Sequence, residues 1–341
     1  MFPSDRCLIS LKPISETKVE QEEYAQGQVK TILGSVKNQM RLDFTRHEFA
    51  TEQPVNQKGM SISGYQPKLS LAIKDAKLHV VNNDGEFILK PSPEDFPHLA
   101  ENEHACMLVM KALGFDVPPF GLTRFAEDDE GNSPLAFLIK RYDRDSGGHR
   151  IHQVQLDAEM DIKEKYGKTK DDSEGYISYE RIGKFLFENI DTSLKMKREY
   201  FLRVLWANIL GNNDLHLRNF GVLHFQTGKV ALAPIYDYVS VAPYSGYISI
   251  EDCSALPLLI SEEGQNRNTK GFSDYSTYTG ADFKDLGLQL GLKMPMINKL
   301  FDEVNKQKDK VFEIYESSLM PEEHVAAVKE WIVNRLYYLT K

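Results

Sequence analysis

The decisive stretch is "GNNDLHLRNF", Gly211 to Phe220, which follows the apolar run "REYFLRVLWANIL". Large apolar residues recur in that run at helical spacing, so a helix is predicted to end at Gly211. Asp214 and Asn219 then stand five residues apart in the polar segment. Asn and Asp also suit the left-handed turn that ends a helix, so the spacing taken alone fits a plain turn as well as a functional loop.

The residues around this loop extend the pattern. "GVLHF" and "KVALAP", separated by Thr227-Gly228, predict a β-hairpin, and "IYDYV" then supplies Asp237. Upstream, "EFILKPS" places Lys90 at the end of a predicted strand. In protein kinases a loop Asp accepts the substrate proton, an Asn five residues later and an Asp beyond a hairpin bind Mg²⁺, and a strand Lys holds the ATP phosphates. The order of these residues therefore predicts a phosphoryl-transfer site with Asp214 as the base. Asn219 and Asp237 are the predicted magnesium ligands.

Lys90 requires a counter-charge if it is buried. Glu103 lies in "LAENEHACMLVMKALG", on the same helical stripe as Leu99 and Met110. A carboxylate on an apolar stripe is costly to bury unless it is paired. We therefore expect an ion pair between Lys90 and Glu103, with Glu101 as the alternative partner.

The layout of the chain predicts an α+β fold with two lobes. "KLSLAI" alternates apolar residues as a strand does, and "LHVV" and "EFILK" read as two strands joined by a hairpin turn at Asp84-Gly85. From about Ile177 onward the pattern is mostly helical. We expect a strand-rich N-lobe over residues 1–145 and a helical C-lobe over residues 146–341, with the charged stretch Asp161–Tyr176 as a surface loop.

Length and composition restrict the class of protein. The 341 residues exceed what one compact core usually holds, and a net charge of −9 disfavours direct binding to nucleic acid or to anionic membranes. The three cysteines form no C-x-x-C pair, so neither a disulfide framework nor a zinc ribbon is expected. No stretch has the features of a secretory signal or a membrane span. A cytoplasmic protein is the expectation.

A loop precedes the first strong strand. "KGMSISGYQPKLS", Lys58–Ser70, carries Gly59 and Gly64, which permit a close approach of backbone to phosphate. Kinases cover the ATP phosphates with backbone N–H groups of a loop at this position, although a plain polar loop fits the same residues. Ser61 and Ser63 would lie near the γ-phosphate there. A phosphoserine would place negative charge where ATP must bind, and so oppose binding.

Taken together, several blocks resemble the HipA family of serine/threonine kinase toxins. They are "SISGYQPKLSL", "FILKPS", "AENEHACMLVMKALGFDVP", "LIKRYDR", "GNNDLHLRNFG" and "APIYDYVSVAPY", and they span about Met60 to Tyr244. The length and the "SISGYQPK" loop most resemble the short HipT type, which lacks the N-terminal subdomain of full HipA. The resemblance implies a two-lobed, protein-kinase-like fold that uses ATP and Mg²⁺.

The resemblance also implies roles for individual residues. Asp214 would be the catalytic base, Asn219 and Asp237 would hold Mg²⁺, and Ser61 and Ser63 would be autophosphorylation sites that switch the enzyme off. The residues implied in ATP binding are Ser63, Gly64, Gln66, Lys68, Lys90, Glu103, Ile139, Lys140, Arg141 and Tyr142.

The implied substrates and partners are proteins. The resemblance implies phosphorylation of an aminoacyl-tRNA synthetase, the glutamyl enzyme for HipA and the tryptophanyl enzyme for the HipT type, which is favoured here. It further implies a DNA-binding antitoxin and, for the HipT type, an additional small partner protein.

Two other interpretations stay open at this point. "DLHLRN" also fits the D-L-H-x-x-N motif of aminoglycoside and choline kinases, although those have His-Gly before it and I-D-W later, where this chain has Asn212-Asn213 and "IYDY". A catalytically silent binding module is the second alternative, and the complete set of catalytic residues disfavours it.

Tyr236-Asp237-Tyr238 replaces the D-F-G of ordinary protein kinases, and no A-P-E motif follows. His216 is expected to orient the loop rather than to act as a base.

Overall fold

The computed structural model describes residues 5–14, 19–51, 67–145, 147–167, 177–244, 254–264 and 267–341. The strands are β1 (Val19–Gln21), β2 (Tyr24–Ala25), β3 (Leu69–Lys74), β4 (Lys77–Val80), β5 (Phe87–Pro91), β6 (Phe120–Arg124), β7 (Leu135–Lys140), β8 (His152–Gln155), β9 (Gly221–His224) and β10 (Val230–Leu232). The helices are α1 (Gln26–Leu33), α2 (Arg46–Thr51), α3 (Leu99–Ala112), α4 (Leu156–Glu159), α5 (Tyr179–Asn189), α6 (Leu194–Leu210), α7 (Lys270–Tyr275), α8 (Gly280–Gln289), α9 (Met294–Lys306), α10 (Lys308–Ser317) and α11 (Glu322–Tyr338).

The chain divides into two compact units. Unit 1 comprises Met1–Ala112, Asp116–Arg144 and the late segment Ile314–Pro321, and unit 2 comprises Leu113–Phe115, Asp145–Glu313 and Glu322–Lys341. A five-stranded sheet and α3 form the centre of unit 1, whereas most of the described helices lie in unit 2. The assignment of separate roles to residues 1–145 and 146–341 stays a prediction.

The sheet of unit 1 has the strand order β4-β3-β5-β7-β6, with every neighbouring pair antiparallel. α3 packs against β7, β6 and β5. It is buried around most of its circumference, including its polar residues Asn102 and His104. A helix enclosed in this way must satisfy its polar side chains with partners inside the protein.

The predicted hairpin at Asp84-Gly85 is wrong. β4 and β5 do not pair with each other; β3 lies between them, and Leu71 faces Val80 on one side and Phe87 on the other. The connection instead crosses over the side chain of Ser70. A Cβ on Gly85 would lie 1.9 Å from Ser70 Oγ, so glycine is required there because two chain segments cross.

Residues near the N-terminus pack on the same sheet and on α3. The N–H of Leu122 in β6 donates to the carbonyl of Leu8 at 3.0 Å. His104 Nε2 in α3 lies 3.0 Å from the carbonyl oxygen of Ile9. Burial lowers the pKa of His104 to about 4, so the ring is neutral near pH 7 and Nε2–H donates to Ile9. The first segment of the chain is therefore an integral part of unit 1.

In unit 2, α6 leads into the stretch from Gly211 to Phe220. α6 ends at Gly211 as predicted, with φ +76° and its N–H on the carbonyls of Ala207 and Asn208. α11 packs against α6, and Trp331 Nε1 donates to the carbonyl of Asn208 at 3.2 Å. This contact fixes the last turn of α6, and with it the start of the loop that follows.

The predicted hairpin after the loop is confirmed as β9 and β10, with Val222 opposite Leu232. β8 was not predicted, and it adds a third strand by pairing with β9. α4 follows β8 directly, and Asp157 in it accepts a hydrogen bond from Arg218 Nε at 2.7 Å. The sheet of β8, β9 and β10 is therefore linked to the loop through the hydrogen bond between Asp157 and Arg218.

None of the helices in the described part of the chain combines the length and apolar character that a bilayer crossing requires.

Replacing Gly211 with alanine should destabilise the protein more than the same change at Gly228. Both glycines have φ near +77° (+76° and +79°), and left-handed backbone costs an alanine about 1 kcal/mol. A Cβ at Gly211 would also lie 3.0 Å from Trp331 Nε1 and 3.1 Å from Ser240 Oγ, whereas at Gly228 it would meet nothing within 4 Å. Urea unfolding of Gly211→Ala and Gly228→Ala measures the difference. Equal losses would show that Trp331 and Ser240 move aside at no cost.

Candidate active site

Lys90 and Glu103 form a buried ion pair in unit 1. Lys90 lies in β5 opposite Phe137 of β7, and Glu103 lies on α3. Lys90 Nζ is 2.6 Å from Glu103 Oε1, and the two side chains are 4% and 1% exposed. The pair predicted from the sequence is thus present. The alternative partner, Glu101, instead lies 3.0 Å from His98 Nδ1.

The residues from Ile139 to Tyr142, which the resemblance implies in binding ATP through backbone groups at the adenine, are the end of β7 and the residues beyond it. Ile139 faces Ile88 on one side and Phe120 on the other. The N–H of Lys140 donates to the Pro119 carbonyl at 2.8 Å, and the N–H of Arg141 donates to the Glu86 carbonyl at 2.7 Å. These two N–H groups are occupied by the fold. A nucleotide base bound here would therefore use other backbone groups of this segment.

Asp143 joins two arginines beside that segment, an arrangement that the sequence analysis missed. Arg141 donates to it in a bidentate manner, at 2.9 and 2.6 Å, and Arg144 Nη1 lies 2.9 Å from Asp143 Oδ2. Burial alone would raise the pKa of Asp143, but the hydrogen bond and charge of Arg141, together with Arg144, lower it below its usual value. The alternation of charge signs in "RYDR" is the sequence signal from which this cluster could have been predicted.

The loop after α6 is closed by its own polar groups. Asn219 Nδ2 donates to the carbonyl of Asp214 at 2.7 Å, and the N–H of His216 donates to the same carbonyl at 2.8 Å. The Asp214 N–H in turn donates to Asn212 Oδ1 at 3.2 Å. Because the amide nitrogen of Asn219 is used inside the loop, its carbonyl oxygen is the atom that can bind a cation, and oxygen is the ligand that Mg²⁺ prefers.

The Asp214 carboxylate is open to solvent. Its side chain is 51% exposed, with Lys165 Nζ 3.6 Å from Oδ1 and His216 Nε2 3.5 Å from the same oxygen. His216 is 7% exposed. Burial lowers the pKa of His216, while the charges of Asp214 and Asp237 oppose that shift. A buried imidazole with a lowered pKa suits the predicted orienting role.

Asp237 stands in a strained part of the backbone. Its φ is +55°, a left-handed conformation that non-glycine residues seldom adopt. The neighbouring tyrosines anchor it on both sides: Tyr236 Oη donates to the Arg218 carbonyl and Tyr238 Oη to the Arg203 carbonyl, each at 3.0 Å. Aspartate takes up this conformation more readily than most non-glycine residues, and here the contacts of both neighbours hold it. The two anchors also explain why tyrosines flank this Asp.

Several predicted residues receive no test from the geometry. Ser61, Ser63, Gly64 and Gln66 lie outside the described residues, and Lys68 lies just before β3, half-buried. Across the described ranges no group of three or more His, Cys, Asp or Glu side chains is arranged to hold a metal ion. The predicted magnesium ligands are a different set, one carboxamide and one carboxylate, so their role stays a prediction.

The sequence matches a known protein family and several named kinases. The profile of the HipA-like C-terminal domain matches residues 60–312. The chain belongs to this HipA-like family. A Haemophilus influenzae protein named "Putative kinase" is 45% identical over 335 residues, which cover 98% of this chain and 97% of that protein. A Sinorhizobium fredii protein named "Putative kinase Y4dM" is 29% identical over 58% of this chain and 48% of its own length.

Two solved structures show that the HipA-like chain has a kinase-like fold, as predicted. HipA of Shewanella oneidensis, solved with HipB and operator DNA, matches with a TM-score of 0.60 and 21% identity over 82% of this chain; the match spans 64% of that HipA chain. The proinflammatory kinase CtkA of Helicobacter pylori matches with a TM-score of 0.50 and 16% identity over 84% of this chain and 91% of its own. At these identities the likeness concerns the fold alone.

Glu103→Gln should destabilise the protein more than Glu101→Gln, its neighbour on the same helix. The first change leaves Lys90 buried without its counter-charge, which costs on the order of 3 kcal/mol. The second removes a charge beside His98, whose side chain is 35% exposed, so water compensates for part of the loss. Urea unfolding of the two variants gives the comparison. A loss for Glu103→Gln no larger than that for Glu101→Gln would contradict the importance of the pair.

The contribution of Asp143 to stability should depend on pH. Because its pKa is lower in the folded protein than in the unfolded chain, where it is about 4, the contribution is complete above that pH. It is lost as the pH falls through the folded-state pKa. Asp143→Asn should therefore unfold at a lower temperature than wild type at pH 7, and the gap should narrow as the pH is lowered towards about 3. A gap independent of pH would contradict this account.

Proposed function

We propose that the protein is a serine/threonine kinase that transfers the γ-phosphoryl group of ATP, with Mg²⁺, to an aminoacyl-tRNA synthetase, the tryptophanyl enzyme being favoured. The proposal also includes autophosphorylation at Ser61 or Ser63 and the role of toxin in a toxin–antitoxin pair of the HipT type. The observation that carries it is the closed loop that presents the Asp214 carboxylate to solvent, with Asn219 tied to its backbone.

The proposed roles follow from the chemistry of each group. Asp214 accepts the proton of the attacking serine hydroxyl, because it is an accessible carboxylate on a loop held by its backbone. Lys90, positioned by Glu103, binds ATP phosphates. The remaining ATP contacts are proposed for Ser63, Gly64, Gln66, Lys68, Ile139, Lys140, Arg141 and Tyr142.

The residues proposed for the metal fit its chemistry. Asn219 has its amide nitrogen committed to the Asp214 carbonyl, which directs its oxygen to the role of ligand. Asp237 supplies a carboxylate oxygen and is near enough to His216 for its charge to affect that pKa. Mg²⁺ bound by these two side chains would neutralise charge on the phosphates during transfer.

The proposed partners rest on the family. The HipA structure that this chain resembles was solved with HipB and operator DNA. We propose a DNA-binding antitoxin as the partner here, with a small additional protein as in the HipT type. The net charge of −9 favours contact with DNA through such a partner rather than through this chain alone.

Asp214→Ala should abolish phosphotransfer while the fold is kept. Loss of a general base lowers the rate by about a hundredfold to ten-thousandfold. The side chain is 51% exposed, so its removal should change the unfolding temperature little. Wild type, Asp214→Ala and the control Asp274→Ala would be incubated with ATP, Mg²⁺ and a panel of aminoacyl-tRNA synthetases, and phosphate on each synthetase measured by mass spectrometry.

The panel also separates the alternatives. The proposal is supported if wild type and Asp274→Ala phosphorylate the tryptophanyl enzyme and Asp214→Ala does not. Transfer to an aminoglycoside or to choline, with no protein phosphorylated, would replace it with a small-molecule kinase, which the D-L-H-x-x-N pattern also fits. Activity of Asp214→Ala equal to wild type would overturn the assignment of the base.

Asn219→Ala should raise the Mg²⁺ concentration needed for half-maximal activity. One of the two proposed protein ligands is lost, and the loop also loses the bond between Asn219 Nδ2 and the Asp214 carbonyl. We expect an increase of about tenfold or more, in line with the loss of one charge-assisted contact. Magnesium titration of the kinase rate measures it, with Asn189→Ala, an exposed side chain on α5, as the control. An unchanged magnesium requirement would contradict the ligand assignment.

A further inference from the structure

Lys165 lies beside the proposed base, in a segment that the sequence analysis treated as a surface loop. Its Nζ is 3.6 Å from Asp214 Oδ1, and its side chain is 36% exposed against 51% for Asp214. Both residues belong to unit 2. At this distance the ammonium is a neighbour of the carboxylate rather than a tight ion-pair partner, and both side chains are partly open to solvent.

The position of Lys165 is fixed by contacts to the loop itself. The N–H of Leu217 donates to the carbonyl of Lys165 at 3.1 Å, which joins the two backbones directly. Lys165 Nζ lies 4.7 Å from the centroid of the Tyr166 ring, and that ring meets His216 edge-on at 5.5 Å. A cation held over an aromatic face is attracted by the negative face of the ring. The backbone of Lys165 is therefore joined to the loop, and its ammonium has two neighbours in the Asp214 carboxylate and the Tyr166 ring.

A second observation concerns His216, the other group near the Asp214 carboxylate. Two residues after the base stands His216, and burial lowers its pKa, so this ring is neutral and supplies no cation near pH 7. Transfer of a phosphoryl group spreads negative charge over its equatorial oxygens, and a fixed cation near them stabilises the transition state. Among the neighbours of Asp214 named above, Lys165 is the group with the charge to do this.

We propose that Lys165 is a further catalytic residue, whose ammonium contacts the γ-phosphoryl group of ATP as it is transferred. The inference rests on the proposed kinase function and deepens it. The hydroxyl oxygen of the substrate forms a bond to the γ-phosphorus, the bond from that phosphorus to the β–γ bridging oxygen breaks, and ADP leaves with the electron pair. The hydroxyl proton passes to Asp214, and Lys165 stays protonated throughout.

The experiment compares Lys165→Met, Lys165→Arg and the matched control Lys163→Met, an exposed lysine on the same segment. Phosphotransfer kinetics give kcat and KM, and calorimetry gives the affinities for ADP and for AMP-PNP, which carries a γ-phosphate analogue. We expect Lys165→Met to lower kcat by about a hundredfold or more and Lys165→Arg to restore part of it. Lys163→Met should behave as wild type.

The two nucleotides separate a phosphoryl contact from a structural role. Lys165→Met should weaken AMP-PNP about tenfold, as expected for the loss of a charge-assisted contact, and leave ADP unchanged. If Lys165→Met weakens the binding of ADP and AMP-PNP equally, or lowers kcat without changing either affinity, the proposal is overturned. Lys165 would then act on the fold or on Asp214 alone. Wild-type kinetics for Lys165→Met would overturn it as well. Failure of the proposed function itself is distinguishable, because wild type would then transfer no phosphate at all.

Discussion

A buried ion pair is an expensive way to join a strand to a helix. Removing two charges from water costs several kcal/mol for each ion, and apolar side chains of similar size would often give a more stable core. The side chains of Lys90 and Glu103 are nevertheless 4% and 1% exposed, and Lys90 Nζ lies 2.6 Å from Glu103 Oε1. The contact joins α3 to β5 and sets the orientation of the Lys90 ammonium. Such a pair is best explained by a function that needs a lysine held in one orientation.

The other half of the proposed chemistry is built by a different device. In unit 2 the charged groups stay open to solvent while the backbone that carries them is fixed by hydrogen bonds from Asn219 and His216 to the Asp214 carbonyl. The strained backbone of Asp237 is held by tyrosine anchors on both sides. Charged side chains that stay in contact with water lower the stability of the fold little. The hydrogen-bonded backbone still presents the Asp214 carboxylate in a fixed geometry.

The sequence indicated those features that rest on local patterns. The helix end at Gly211, the β9–β10 hairpin and the burial of Glu103 follow from periodicity, glycine conformation and the cost of an unpaired charge. The interpretation failed where two distant segments decide the outcome. Asp84-Gly85 has the local signature of a hairpin, yet β3 lies between the strands it connects. Lys165 belongs to a charged stretch whose composition resembles any surface loop, and only the folded chain places it beside Asp214.

Asp214 is proposed to serve the transfer of phosphate from ATP to a serine. The most direct test of this proposal is the intact mass of wild type and Asp214→Ala, each first treated with phosphatase and then incubated with ATP and Mg²⁺. The account predicts that wild type alone gains the mass of a phosphoryl group, and that peptide mapping places it on Ser61 or Ser63. Consumption of ATP by wild type without any phosphate on protein, or equal phosphate on both proteins, would contradict the account.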